Sequence, residues 1–210
     1  ESVQLSLVGI DNGIQTNFSD QTISDKDGSY AFSTAYAGTN RLTANKAINT
    51  DESGSVISSA DALAALKIAV GINPNTDPDG AGPEQALPVS PYQYIAADIT
   101  GDGRVTSADA LAILKMAVNL TSAQPRRWVF VAEDHDFWDE DSKSFTTTRS
   151  SVMWDSDGIT FDYSEKSVQN VVGVLMGDVN GNWRSPEGSE TVAENYFSDL
   201  VVSQGGSIGQ

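Results

Sequence analysis

Residues Asp98–Val118 read DITGDGRVTSADALAILKMAV, and the second part of that stretch, Ser107–Val118, recurs earlier as Ser59–Val70, SADALAALKIAV. The copies are offset by 48 residues and differ only at Ala65/Ile113 and Ile68/Met116, which identifies an internal repeat. Each copy has helical periodicity: Leu63, Leu66 and Val70, like Leu111, Leu114 and Val118, recur at i, i+3 and i+7 and share one face. Alanine fills most other positions, which favours helix and allows close approach of a neighbour. Ser58 and Thr106 stand three residues before Asp61 and Asp109, the spacing of a capping box. Gly71 and Asn119 follow the helices where a left-handed residue ends them. Two equal helices with matched leucine faces are expected to pack on each other about a pseudo-twofold axis.

Ahead of the second copy, Asp98–Asp109 spells the oxygen pattern of an EF-hand calcium loop, with ligands at positions 1, 3, 5, 7, 9 and 12 and glycine at 6. These positions are Asp98, Thr100, Asp102, Arg104 (through its carbonyl), Thr106 and Asp109; Gly103 supplies the bend and Val105 the apolar anchor. Carboxylates converging on one point repel unless a cation neutralises them. The competing explanation is an Asp- and Gly-rich surface turn. The first copy is less regular. With one extra residue near Val56 it offers Asn49, Asp51, Ser53, Ser55 and Asp61, with Gly54 at the bend, and neutral Asn49 implies weaker binding. A third stretch, Gly177–Trp183 (GDVNGNW), repeats the rhythm through Asp178, Asn180 and Asn182, with Glu187 or Glu190 as a further donor. Trp183 replaces its bend glycine, and a turn with Asx hydrogen bonds is the alternative there. Two calcium ions are expected, with a third open at the last loop.

Two loop-plus-helix units without proper entering helices, joined by a linker, resemble a dockerin across roughly Lys46–Leu120. The resemblance implies two calcium ions and a helical face that binds a cohesin domain through Ser59, Ala60, Ser107 and Ala108, with Lys67 and Lys115 nearby. The chain departs from the usual pattern in its longer first loop, its longer linker and its β-rich flanks. Ser24–Phe32, SDKDGSYAF, resembles the D-x-x-G-x-Y-x-F hairpin of Cna-B-like and carboxypeptidase-regulatory-like β-sandwich domains. Together the two resemblances imply a bacterial surface or secreted protein.

The expected fold class is α+β, with β-sandwich-like strands at both ends and a central two-helix calcium-loop unit. Strands are expected at Gln4–Ile10, Gly13–Phe18, Tyr30–Thr34, Arg41–Ala44, Trp128–Ala132, Ser151–Trp154, Ile159–Tyr163 and Val168–Met176. Asp157-Gly158 marks a hairpin turn, and Ser90-Pro91 opens a short helix over Tyr92–Ala97. Gly71–Pro91, with five prolines, reads as an extended linker. The domains expected are 1–45 (β-sandwich-like, completed by C-terminal strands), 46–124 (dockerin-like), 125–203 (β-rich) and a loose tail at 204–210.

Of 210 residues, 29 are Asp or Glu and 12 are Lys or Arg, a net charge of −17 that disfavours nucleic acid and anionic lipid as partners and favours divalent cations. The absence of cysteine excludes a disulfide framework and thiolate chemistry. No apolar run approaches the roughly 20 residues of a membrane span. The chain starts within an expected strand with no signal peptide, so a piece of a longer extracellular protein is expected, where calcium is millimolar. No nucleophile–base pair or phosphate loop points to catalysis. His135 with Glu133, Asp134 and Asp136 is a weaker metal candidate than solvated loop. Trp128, Trp138, Trp154 and Trp183 suit a strand core better than a sugar platform. The expected function is a calcium-dependent protein-interaction module; a calcium-rigidified adhesin segment and a carbohydrate-binding accessory module are the alternatives.

Overall fold

Each helix begins on a residue whose side chain stops the backbone N–H groups from being left bare. The computed structural model describes residues 2–49, 56–77, 86–184 and the backbone of 200–202. Ser58 opens α1 (Ser59–Ala69), Ser90 opens α2 (Pro91–Ala97) and Thr106 opens α3 (Ser107–Ala117), each through a complete capping box. Gly71 (φ +80°) and Asn119 (φ +51°) end the long helices in the left-handed region. At α1 the Ile72 N–H reaches the Lys67 carbonyl (2.8 Å) and Gly71 reaches Ile68 (2.9 Å); at α3, Leu120 reaches Lys115 (3.0 Å) and Asn119 reaches Met116 (3.1 Å). Both pairs are Schellman closures.

The chain is α+β. Around the helices run β1 (Gln4–Asp11), β2 (Ile14–Ile23), β3 (Thr39–Asn45), β4 (Trp128–Ala132), β5 (Trp138–Asp139), β6 (Ser144–Phe145), β7 (Ile159–Asp162), β8 (Val171–Leu175) and β9 (Leu200–Val202). Among the described residues three antiparallel sheets result, ordered β2-β1-β3-β7, β4-β8-β9 and β5-β6. Asn12-Gly13, both at positive φ, forms the tight β1–β2 turn. Strand β7 pairs Ile159–Asp162 against Leu42–Thr39, so a C-terminal strand extends the N-terminal sheet. No helix among the described residues is long and apolar enough to cross a membrane.

Two expected strands are absent. Tyr30–Thr34 joins no ladder; Tyr30 and Phe32 bury their rings instead, and the Tyr30 hydroxyl donates to the Gln169 carbonyl. Ser151–Trp154 makes only an isolated bridge, Thr148 to Ser151, because its backbone is used by the loop before α3: Val105 N–H donates to Arg149 and Val152 N–H to Gly103, both at 2.8 Å.

Helices α1 and α3 pack together, but not through their leucines. Leu63, Leu66 and Val70 are 54%, 42% and 63% exposed, and Leu111, Leu114 and Val118 match them at 53%, 41% and 57%. The buried stripe is Asp61, Ala62, Ala65 and Ile68 on α1 and Asp109, Ala110, Ile113 and Met116 on α3. Small residues let the backbones approach, and an aspartate that must face a loop sets which side of each helix turns inward. The helices and sheets share one core, in which Ile57, Ile95, Ile99, Val105 and Val179 are almost fully buried.

Candidate metal centre

The best-formed site is the turn between α2 and α3. Asp98 is the C-cap of α2, and its carboxylate gathers three backbone donors: Gly101 and Asp102 on Oδ1 (3.0 and 3.2 Å) and Gly103 on Oδ2 (2.9 Å). Gly101 (φ +72°) and Gly103 (φ +80°) bend the chain around it, where a side chain would be strained. Asp109, one turn into α3 and wholly buried, divides its oxygens between two tasks. Oδ2 closes the capping box with Thr106 N–H (2.8 Å) and hydroxyl (2.9 Å), and Oδ1 takes Thr100 N–H (3.0 Å) and hydroxyl (2.8 Å). Ile99 and Val105, both buried, pin the loop to the core.

Carboxylate oxygens of Asp98, Asp102 and Asp109 all lie within 4.8 Å of one another, and the three could hold a metal ion. Burial raises the Asp98 pKa, and the nearby charge of Asp109 raises it further against the backbone donors that lower it. Arg104 occupies the position that offers a carbonyl. The Thr106 hydroxyl is engaged as N-cap, accepting from Ala108 N–H (3.2 Å), so it serves the helix before any ligand.

Of the residues expected for the first loop, Asp51, Ser53, Gly54 and Ser55 lie outside the described residues, and Asn49 is half-buried. Asp61 is wholly buried, and its free oxygen points elsewhere: Oδ1 accepts the N–H of Asn180, 119 residues away in sequence, at 3.1 Å. Oδ2 closes the α1 capping box with Ser58 N–H (2.8 Å) and hydroxyl (2.9 Å). Asp178 in turn accepts Asn182 N–H on Oδ1 (3.1 Å) and Trp183 N–H on Oδ2 (3.0 Å).

The helix aspartate of the first unit and the Asp178–Trp183 stretch thus meet, and they meet in the register of the continuous loop. Asp178 bonds forward to the fourth and fifth residues after it, as Asp98 does to Asp102 and Gly103. Asn180, two residues on, bonds the helix aspartate Asp61 as Thr100 bonds Asp109. Gly181 (φ +64°) matches Gly101. Buried Val179 matches Ile99, and buried Ile57, four residues before Asp61, matches Val105. The copies part at the sixth position, where Gly103 turns toward Val105 and Trp183 instead enters the core edge-on against Trp128, 4.9 Å between ring centroids.

Asp178 is pushed up to about 6, first by burial and then by the charge of Asp61; burial also raises Asp61. Among the described residues no lysine or arginine pairs with Asp61, Asp98, Asp102, Asp109 or Asp178; the ion pairs lie elsewhere, at Lys143–Glu140, Lys166–Asp134 and His135–Asp155. Glu187 and Glu190 lie outside the described residues.

The other candidates form no metal-holding cluster among the described residues. Glu133 accepts from Asn170, Asp134 from Lys166 and Asp136 from the Trp138 N–H, while His135 faces Asp155 at 3.5 Å. Trp128 and Trp183 are core residues, with the buried Lys46 ammonium 4.8 Å from the Trp128 ring centre, whereas Trp138 packs edge-on to Phe145 on the β5–β6 hairpin. On the helices, Ser59, Ala60, Ser107 and Ala108 are exposed and Lys67 and Lys115 half-exposed. They lie along the same outer stripe as the leucines.

The pairing of Asp61 with Asp178 escapes a linear search because it depends on chain that returns from the C-terminal strands. A signal existed. Asp178-Val-Asn-Gly-Asn follows the pattern of Asp98-Ile-Thr-Gly-Asp, and the repeat at α1 lacks an equally regular loop of its own. Compared with protein-family models, curated proteins and solved structures, the chain matches none of them, so the chemistry of its own residues carries the functional argument.

Proposed function

We propose that this chain is a non-catalytic calcium-binding module, dockerin-like in its paired loop-helix units, that docks a protein partner outside the cell. The carrying observation is the convergence of Asp98, Asp102 and Asp109 carboxylates within 4.8 Å, with no lysine or arginine paired to them among the described residues. An all-oxygen donor set of three carboxylates, the Thr100 hydroxyl and the Arg104 carbonyl suits a hard cation and offers no soft ligand for a transition metal. The register equivalence described above supports reading a second ion at Asp178, Asn180 and Asn182 together with Asp61. In this reading Asp61 of the first expected set joins the third expected loop in one pocket, and two ions are bound. Both pockets border the helix starts, so the ions set the orientation of α1 and α3.

The docking face is the outer stripe of the two helices. Leu63, Leu66, Val70, Leu111, Leu114 and Val118 are exposed there without a covering element among the described residues. A contiguous apolar face of this kind is characteristic of an interaction surface. Lys67 and Lys115 place positive charge on it in a chain of net charge −17, which suits an apolar partner surface with an acidic rim, such as a cohesin-like domain. Pockets with two or three formal charges fill at millimolar calcium, consistent with an extracellular setting.

Native mass spectrometry with and without calcium tests the ion reading: two ions are expected, falling to one in Asp98→Ala, and an unchanged count in that variant refutes the site. Binding of a cohesin-like domain that persists in chelator, or survives Leu63→Lys with Leu111→Lys, refutes the docking role. One observation favours a second reading, a calcium-rigidified structural segment. The helices share a continuous core with the chain's own sheets.

A further inference from the structure

We propose that the β5–β6 hairpin of one copy of this chain docks on the outer stripe of α1 and α3 of a second copy, joining two unlike patches. The inference rests on the reading of that stripe as a docking face and goes beyond it by naming a further occupant. Neither helix turns an acid outward, since their carboxylates, Asp61 and Asp109, are both buried. Their last turns carry Lys67 and Lys115. An arginine joins each lysine: Arg149 donates to the Ala69 carbonyl at the end of α1, and Arg126 to the Met116 carbonyl at the end of α3, both at 3.1 Å. Ile72 and Leu120, both exposed, extend the leucine rows to the same ends. In a chain of net charge −17 the stripe is therefore apolar with a basic border.

The hairpin has the opposite character. Trp138 and Phe145 pair across it, edge to face with 5.5 Å between ring centroids, and stay 39% and 37% exposed. Asp136, Glu140 and Asp141 are exposed around them. The hairpin's own lysine, Lys143, is taken up by Glu140 at 2.6 Å, so Asp136, Asp139 and Asp141 leave it acidic. The tip is already folded: Asp139 Oδ1 accepts the N–H groups of Asp141 (2.8 Å) and Ser142 (3.0 Å). At the base, Phe137 is buried edge-on against Tyr92 of α2 at 5.5 Å. Docking such a preformed element costs little ordering. Charge selects the pairing. Stripe on stripe would set cations against cations, and hairpin on hairpin acids against acids; only hairpin on stripe joins apolar surface with opposite charge at its border. At about 0.15 M salt, screening over roughly 8 Å suppresses repulsion between the remote charges of two acidic copies and leaves contact pairs effective. A hairpin this short covers less than a standard interface, so the association is weak.

Sedimentation equilibrium on the full chain in calcium, from about 0.01 to 1 mM protein, tests the contact. Wild type should self-associate. Leu63→Ser with Leu111→Ser impairs the stripe and Trp138→Ser with Phe145→Ser the hairpin, and each protein alone should associate about tenfold more weakly or worse. Mixed in equal amounts, the two should recover the wild-type affinity as a one-to-one pair, because the intact hairpin of the first meets the intact stripe of the second. Glu140→Lys with Asp141→Lys keeps the aromatic pair, should weaken self-association to a similar degree, and decides the matter if the aromatic variant fails to fold. A wild type that stays monomeric up to about 1 mM overturns the proposal. Self-association that survives the folded hairpin variants also overturns it, since the stripe then meets another stripe. A mixture of variants with wild-type melting temperatures that recovers nothing does the same. Binding of a cohesin-like domain should be untouched by the hairpin substitutions; if that binding persists while wild type remains monomeric, this inference falls and the docking role stands.

Discussion

The loop at Asp98–Asp109 and the pocket of Asp61 with Asp178–Asn182 share a backbone hydrogen-bond register built from differently connected chain. In the first, the aspartate that starts the loop and the one that ends it are 11 residues apart on one turn. In the second, the bonded pair Asn180 and Asp61 are separated by 119 residues. The shared register shows that the geometry belongs to the helix start and the five residues after the leading aspartate, not to an unbroken peptide between them. Where the peptide is broken, position 6 loses its duty to bend: Gly103 needs its left-handed φ of +80°, while Trp183 is released to fill the core.

The largest expected effect is removal of calcium from the wild type. An ion present at about 1,000 times its Kd contributes about 4 kcal/mol. For a chain of this size that is roughly 8–16 °C of melting temperature per ion, readable by calorimetry in calcium and in chelator. A fall of only a degree or two would break the comparison by showing that neither pocket holds a tight ion.

Next come the helix aspartates. Asp61→Ala and Asp109→Ala each remove a capping-box acceptor and leave buried donors unpaired, at a cost of about 2–4 kcal/mol in chemical denaturation. If the pockets are equivalent the two losses agree and each variant binds one ion fewer. A large loss for Asp109→Ala alone would mean that the composite register carries no ion.

Ion-free pH dependence separates the pockets further. Asp178 is pushed up to about 6, and Asp61 and Asp98 are also raised. A carboxyl with a raised folded-state pKa binds its proton more tightly in the native state. For Asp178 that contribution is present below about pH 4 and is lost as pH rises through about 6. In chelator the protein should therefore be more stable at pH 5 than at pH 7, by on the order of 1 kcal/mol from Asp178. Asp178→Asn should flatten most of that slope and Asp98→Asn less of it. With calcium present the trend should reverse, because protons compete with the ion.

The smallest effect on stability is expected on the outer helix stripe. Leu63→Lys and Leu111→Lys replace exposed side chains and should change stability by about 0.5 kcal/mol or less, judged by melting temperature. A loss of several kcal/mol at either position would show that the stripe is covered in the folded protein.

Much was already legible in residue order. The repeat located α1 and α3 to within a residue at each end, because capping boxes and left-handed closing residues are local chemistry. The Asp98–Asp109 pocket was legible for the same reason: its donors are neighbours, and the spacing of oxygens along a tight turn leaves little freedom. The inward side of the helices was not. Leucine spacing pointed to a packing face at Leu63, Leu66 and Val70, whereas the alanine stripe beside Asp61 and Asp109 turned inward, since each aspartate has to meet its loop and alanine permits the closer approach.

Sequence by itself therefore determined the elements whose hydrogen bonds close within a few residues: helix starts and stops, the Asn12-Gly13 turn and the continuous acidic loop. Tertiary structure alone decided which C-terminal strand would extend the N-terminal sheet, that Tyr30–Thr34 would bury rings without joining a ladder, and that Asp61 would meet the 178–183 stretch. Those outcomes depend on which distant surfaces meet when one core is shared, and hydrogen-bond donors carry no record of chain distance. An N–H from residue 180 satisfies Asp61 as well as one from residue 100 satisfies Asp109.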